Sequence, residues 1–267
     1  EVGDKFLTTI KSGNAKFEIM GLNPSEFPEL PIINHDYSIS ISKNMLRDMI
    51  NRTVFSVYKK DDRPVLRGCL MEIDKKEIKM VALDGYRLAY RKYEIEEECE
   101  KKKFIIPEKA LLELSKLLKD EDEKILINST SKHAVFIDEN YKLVTRLIEG
   151  EYMNYEALIN REFPYNIECP VSELMSSVYR ASLIVINDIT KCPVKIHIGG
   201  DNINVSCETA LGFVDDNINV STGDEDIIMG FNSSFILEAL RACDEDKVML
   251  KLKGSKEPLI IAPVDNE

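Results

Sequence analysis

This chain repeats itself, and the interval of the repeat limits what it can fold into more than any local propensity does. Leu46, Ile50, Arg52 and Phe55 return as Leu174, Val178, Arg180 and Leu183, each 128 residues later. Pro107, Leu111, Leu112 and Glu113 return as Asn232, Ile236, Leu237 and Glu238 at an interval of 125, and Lys124-Ile125 returns as Lys247-Val248 at 123. Leu22 and Phe27 return as Leu147 and Tyr152, again at 125. Four matches in one order at nearly one interval imply tandem copies of one unit, each large enough to enclose a core. The expected divisions are 1–32 as the tail of a first unit, 33–160 as a complete second unit, and 161–267 as a third unit whose final strand would lie past the last residue.

Each unit is expected to hold two amphipathic helices. After Ser42, an N-cap residue type, the residues Met45, Leu46, Met49, Ile50, Thr53, Val54 and Val57 form one stripe and leave Lys43, Arg47 and Arg52 toward the other side. A second helix is expected to open at Pro107, burying Leu111, Leu114 and Leu118 and exposing Lys109, Lys116 and Lys119. Alternating runs at 37–41, 69–73, 78–83, 87–90, 124–127, 134–137 and 142–147 read as strands, with Asp84-Gly85 as a hairpin turn. The fold class is therefore α+β, with repeated domains each packing two helices on antiparallel sheets.

Chemistry is conspicuous by its absence from the motifs. There is no phosphate-cradling G-x-x-x-x-G-K-[ST], no G-x-G-x-x-G, no G-x-S-x-G and no H-E-x-x-H. His35, His133 and His197 are far apart, and the acidic runs Glu96-Glu97-Glu98 and Asp120 to Glu123 read as solvated loops and helix ends. Gly199-Gly200-Asp201-Asn202 reads as a hairpin turn. The six cysteines (Cys69, Cys99, Cys169, Cys192, Cys207, Cys243) have no ligand spacing, so the expectation is reduced, mostly buried thiols, no metal and no cofactor. No apolar run approaches the roughly 20 residues of a membrane span, and the first residues lack a signal-peptide pattern, so a cytoplasmic protein is expected. With 35 Lys and Arg against 47 Asp and Glu, the net charge of −12 disfavours a general polyanion binder but leaves room for a local basic surface.

Several motifs together resemble the bacterial sliding clamp family, the beta subunit of DNA polymerase III. The phrase Ser12-Gly13-Asn14-Ala15-Lys16-Phe17 leading to Phe27-Pro28-Glu29-Leu30 is similar to the end of that family's first domain. Asp84-Gly85-Tyr86-Arg87-Leu88-Ala89 resembles its D-G-[HY]-R-L-A signature, and Ile106-Pro107 to Leu118, Leu147 to Tyr155 and Gly230-Phe231-Asn232 to Leu240 extend the likeness.

The resemblance implies a DNA-clamp fold and a non-catalytic processivity factor: a head-to-tail homodimer whose helices line a hole around duplex DNA, held without regard to sequence. Candidate DNA contacts are Arg47, Arg52, Lys59, Lys60, Lys109, Lys116 and Arg180, although Arg52 and Arg180 recur in the repeat and also fit a shared structural role. Leu183 and Ile184 match the family's dimer interface. A pocket for short peptide motifs of the polymerase, the clamp loader and repair proteins would use Arg63, Leu66, Leu83, Gly85, Tyr86, Arg87, Leu88, Met153, Leu158, Asn232, Phe235 and Pro258. Competing roles are a turn for Gly85, a helix cap for Asn232 and strand packing for Leu88. Met153 and Ala157 stand where the family commonly has proline and a basic residue. Alternatives are an α+β enzyme of another type, or a protein-binding scaffold without DNA binding.

Overall fold

The computed structural model describes residues 1–27, 36–119, 123–185, 192–223 and 226–264. The segment Pro28-Glu29-Leu30, the division near residue 33, His35 and Asp120 to Asp122 lie outside the described residues.

The chain opens with a lone antiparallel hairpin, β1 (Leu7–Ser12) on β2 (Ala15–Met20), whose Phe17, Ile19 and Met20 are exposed. The central unit follows. Strand β3 (Tyr37–Ser42) alternates inward Ile39 and Ile41 with serines and runs into helix α1 (Lys43–Asn51), where Ser42 Oγ accepts from Met45 N–H at 3.4 Å. Two long strands, β4 (Gly68–Leu83) and β5 (Leu88–Pro107), form a ribbon. Helix α2 (Glu108–Leu117) returns the chain to β6 (Lys124–Ser129), β7 (His133–Ile137) and β8 (Lys142–Arg146), giving a four-stranded antiparallel sheet in the order β3-β6-β7-β8.

A single turn of helix, α3 (Glu156–Ile159), lies in the connection to the C-terminal unit. There β9 (Tyr165–Pro170) leads into α4 (Val171–Val185), and β10 (Val194–Gly199), β11 (Asn202–Thr209), β12 (Gly212–Asn219) and β13 (Asp226–Phe231) build a sheet in the order β12-β11-β10-β13. Helix α5 (Ser233–Arg241) then leads to β14 (Lys247–Leu252), which pairs with β9, and to β15 (Ile260–Pro263), which pairs with β14.

The sequence repeat is a repeat of pairings. Ile39 of β3 faces Ile127 of β6, and their counterparts Ile167 and Leu250 face each other across β9 and β14. The left-handed backbone at Lys75 (φ 53°) recurs 125 residues on at Gly200 (φ 63°), where Gly200-Asp201 makes the two-residue turn between β10 and β11. In the central unit that place is a register shift within one continuous strand, so the runs read as 69–73 and 78–83 belong to the single strand β4. Each unit has its own core: Leu46, Met49 and Ile50 pack with Leu111, Leu114 and Phe136 in one, and Leu174, Val178 and Ala181 with Ile236, Leu240 and Leu250 in the other. Truncating any of the leucines, isoleucines, methionine or phenylalanine among these to alanine costs about 2–5 kcal/mol.

Four expectations need correction. Helix α1 ends at Asn51, because Thr53 turns out of helical geometry and its hydroxyl donates back to Met49 O at 2.7 Å; Val54 and Val57 are buried from a following 3-10 turn. Lys43 does not point outward: it is 3% exposed, its ammonium 2.7 Å from Asp138 Oδ1 and 2.6 Å from Glu123 Oε2. Pro107 occupies the cap of α2 and Glu108 its first turn, since Pro107 has extended backbone (φ −57°, ψ 141°). Glu96-Glu97-Glu98 lies within β5 and not in a loop, because the ribbon continues past the alternating run that ends near Tyr90.

Candidate functional site

The turn joining β4 to β5 is built by Asp84. Its Oδ1 accepts from the N–H groups of Tyr86 (2.9 Å) and Arg87 (3.1 Å), and its own N–H donates to Arg87 O at 3.2 Å. Gly85 sits at φ +92°, and a Cβ there would only come within 3.5 Å of Arg63 Nη1, so conformation and not crowding calls for glycine. The turn throws Tyr86 outward, 87% exposed, and directs Arg87 inward.

Arg87 is where the two units meet. Its Nε donates to Asp84 Oδ2 at 3.0 Å, Nη2 to Phe55 O at 2.7 Å, and Nη1 to the Glu238 carboxylate on α5. Its guanidinium carbon lies 4.4 Å from the Phe235 ring centroid and 5.5 Å from that of Phe55, and Tyr86 stands 6.2 Å from Phe235. Phe235 is placed by α5, whose N-cap is Asn232: its Oδ1 accepts from Ser234 N–H at 3.0 Å and from Ser234 Oγ at 2.7 Å. Beside this junction Leu66, Leu83 and Leu88 pack with Tyr155, Tyr58 and Ile159 in a small third cluster, and Arg63 lies over the Tyr58 ring at 5.7 Å.

Of the twelve pocket candidates, the structure therefore brings Gly85, Tyr86, Arg87 and Phe235 to one place, with Arg63 beside Gly85 and Leu66, Leu83 and Leu88 behind. Leu66 and Leu83 are buried walls. Leu158 is half-buried on α3, and Pro258 is exposed in the segment before β15. Met153, 47% exposed, lines a different cleft of about 830 Å3 between β5 and residues 147–156, whose floor is Glu72 with Tyr155 donating to its carboxylate. Burial, followed by that hydrogen bond to Glu72, drives the Tyr155 hydroxyl above its ordinary range. Phe55 and Glu238 were not singled out in the sequence as site residues, although both stand in the repeat, as counterparts of Leu183 and Glu113.

The basic candidates divide by their partners. Arg52 pairs with Asp48 and Asp244 and donates to Ala242 O, which removes its donors from a phosphate. Arg180 pairs with Asp216, Lys59 with Glu108, and Lys116 with Glu113 at 2.9 Å. Arg47, Lys60 and Lys109 make no ion pair among the described residues. The repeat explains Arg52 and Arg180: the strand position facing them is Asp216 on β12 but Arg91 on β5, so Arg180 bonds the strand directly while Asp48 must stand between Arg52 and Arg91. At the end of α4, Leu183 is exposed and Ile184 half-buried.

Cys69, Cys169 and Cys207 are buried, and burial pushes the Cys69 and Cys169 thiols up to about 12. Among the described residues no cluster of three metal-ligating side chains occurs and no helix is long and apolar enough to cross a membrane.

Comparison with known proteins gives one answer along the whole chain. The DNA polymerase III beta subunit central domain matches residues 40–154, and its C-terminal domain matches residues 156–267. The beta sliding clamp of Staphylococcus epidermidis is 32% identical over 266 residues, covering 99% of this chain and 70% of that protein. That of Staphylococcus aureus is 32% identical over 262 residues, covering 97% and 69%. The crystal structure of the Bacillus subtilis DNA polymerase sliding clamp superposes with a TM-score of 0.92 at 29% identity, over 100% of this chain and 71% of that one.

Proposed function

The chain belongs to the bacterial sliding clamps, the DNA polymerase III beta-subunit family, and from that membership we propose how its parts serve a non-catalytic processivity factor of DNA replication. The protein tethers a polymerase to duplex DNA and performs no chemistry of its own. In the proposed arrangement the repeated units, divided near residues 33 and 160, continue around a closed ring formed by two copies of the complete protein. Helices α1, α2, α4 and α5 face the hole, and Arg47, Lys60 and Lys109 supply phosphate contacts that carry no sequence information. Leu183 and Ile184 meet the second copy. The junction of Gly85, Tyr86, Arg87, Leu88 and Phe235 receives short apolar peptide segments of replication and repair proteins, in the cytoplasm.

The observation that carries this reading is the repeat seen twice over, in sequence and in strand pairing, within a chain that family membership extends along its length. Retention on DNA tests it. The complete protein, loaded on nicked circular duplex, is expected to remain through a salt step that screens phosphate contacts and to leave when the circle is cut. Loss during the salt step would mean ordinary ionic binding and would remove the ring from the account.

A further inference from the structure

A second cleft of about 830 Å3 lies between the units and joins Arg47, Asp48 and Arg52 of the α1 region to Arg241 and Asp244 at the end of α5. Its charges sort by partner. Asp48 accepts from Arg91 Nε at 2.9 Å, from Tyr93 Oη at 2.7 Å and from Arg52, and Arg52 also pairs with Asp244. Both acids of the cleft are thus engaged by guanidinium groups within the protein. Arg47 and Arg241 make no ion pair among the described residues. Two uncommitted guanidinium groups, one from each unit, therefore line one concavity.

Two further features suit the cleft to an anion. Ser42 and Asn44, at the start of α1, line it, so the positive end of the helix dipole is at its wall. The side-chain oxygen of Asn44 is buried without a hydrogen-bond partner, and the carboxamide turned about its last bond would offer N–H donors instead. Arginine forks match the oxygens of a phosphate and stay charged at any working pH.

We propose that this cleft is a phosphate site shared by the two units, in which Arg47 and Arg241 hold one phosphodiester of duplex DNA between them, while Arg52, with Asp48 and Asp244, fixes the spacing of the two guanidinium groups. The proposal rests on the reading that α1 and α5 face the DNA. It adds Arg241, which the sequence does not mark, and takes Arg52 from direct contact to a positioning role.

The test is duplex binding by the complete protein, followed by fluorescence anisotropy from about 50 to 200 mM salt, where each phosphate contact contributes roughly 0.9 to the slope of log K against log salt. Arg47→Ala and Arg241→Ala are each expected to weaken binding while keeping most of the slope, since the remaining guanidinium still neutralises the shared phosphate, and the double variant is expected to lower the slope by about 0.9. Arg47→Lys and Arg241→Lys, which keep the charge but lose the fork, should retain the slope and weaken binding. Unchanged affinity in both single alanine variants, or an unchanged slope in the double variant, would overturn the site, and a slope loss of about 0.9 in each single variant adding to about 1.8 in the double would overturn its being shared. Stronger competition by polyglutamate than by duplex would overturn the phosphate assignment in favour of an acidic protein partner. If the unaltered protein does not bind duplex at all, the DNA reading has failed on its own account. Titration with inorganic phosphate then decides the site: joint movement of the Arg47 and Arg241 Nε–H resonances supports an anion site for a small phosphate, and movement of neither overturns it.

Discussion

The guanidinium carbon of Arg87 lies 4.4 Å from the centroid of the Phe235 ring, joining a turn of the central unit to a helix of the C-terminal unit. Because the same group also bonds Asp84, Glu238 and Phe55 O, it serves the junction before it can serve a ligand. Arg87→Ala leaves the carboxylate of Asp84, 12% exposed, without its side-chain donor. A loss of about 1–3 kcal/mol in urea unfolding is expected, with Arg87→Lys in between because lysine has no planar fork. An unaltered midpoint in Arg87→Ala would show that the turn holds without the junction.

Peptide docking concentrates on few side chains. Leu88→Ala and Phe235→Ala are each expected to weaken binding of a polymerase tail peptide by roughly 1–2 kcal/mol or more, measured by titration calorimetry. Equal affinity in both variants and the unaltered protein would place the peptide elsewhere.

The two units are tied at α5 by Arg52 and Arg87. In the double alanine variant the connecting residues 147–164 should be cut faster by a dilute protease, because inter-unit contacts of this polar kind yield readily to relative motion. Cleavage at the unaltered rate would mean that these two arginines do not hold the units together.

Acid should loosen the protein below the ordinary carboxylate range. Burial raises the Asp48 pKa, but hydrogen bonds from Arg52 and Tyr93 and the charge of Arg91 outweigh it and hold the group low. Bonds from Lys43 and Arg180 likewise depress Asp138 and Asp216. A depressed folded value means that the stabilisation is present above the unfolded pKa of about 3.9 and is lost as pH falls from there through the folded value. Urea midpoints should be flat above about pH 5 and fall below about pH 4, with a shallower acid limb in Asp48→Asn. An identical acid limb in that variant would remove Asp48 from the account.

The amino-acid sequence alone determined the repeated α+β unit, the cap at Ser42 and the turns at Asp84-Gly85 and Gly200-Asp201, because apolar periodicity, capping hydroxyls and left-handed glycines act over a few residues. The signature around Gly85 likewise marked one wall of the candidate pocket. Tertiary structure decided what depends on partners distant in the chain. Lys43 is drawn inward because Asp138 and Glu123 wait beside β6 and β7. Arg52 is taken by Ala242 and Asp244, 190 and 192 residues away, and Arg87 by Glu238, 151 residues away. A charged residue on a helix has the same local pattern whether it meets water, a phosphate or a carboxylate. Only the fold, by bringing β5 and α5 against the α1 region, settled which guanidinium groups are spent within the protein and which stand open.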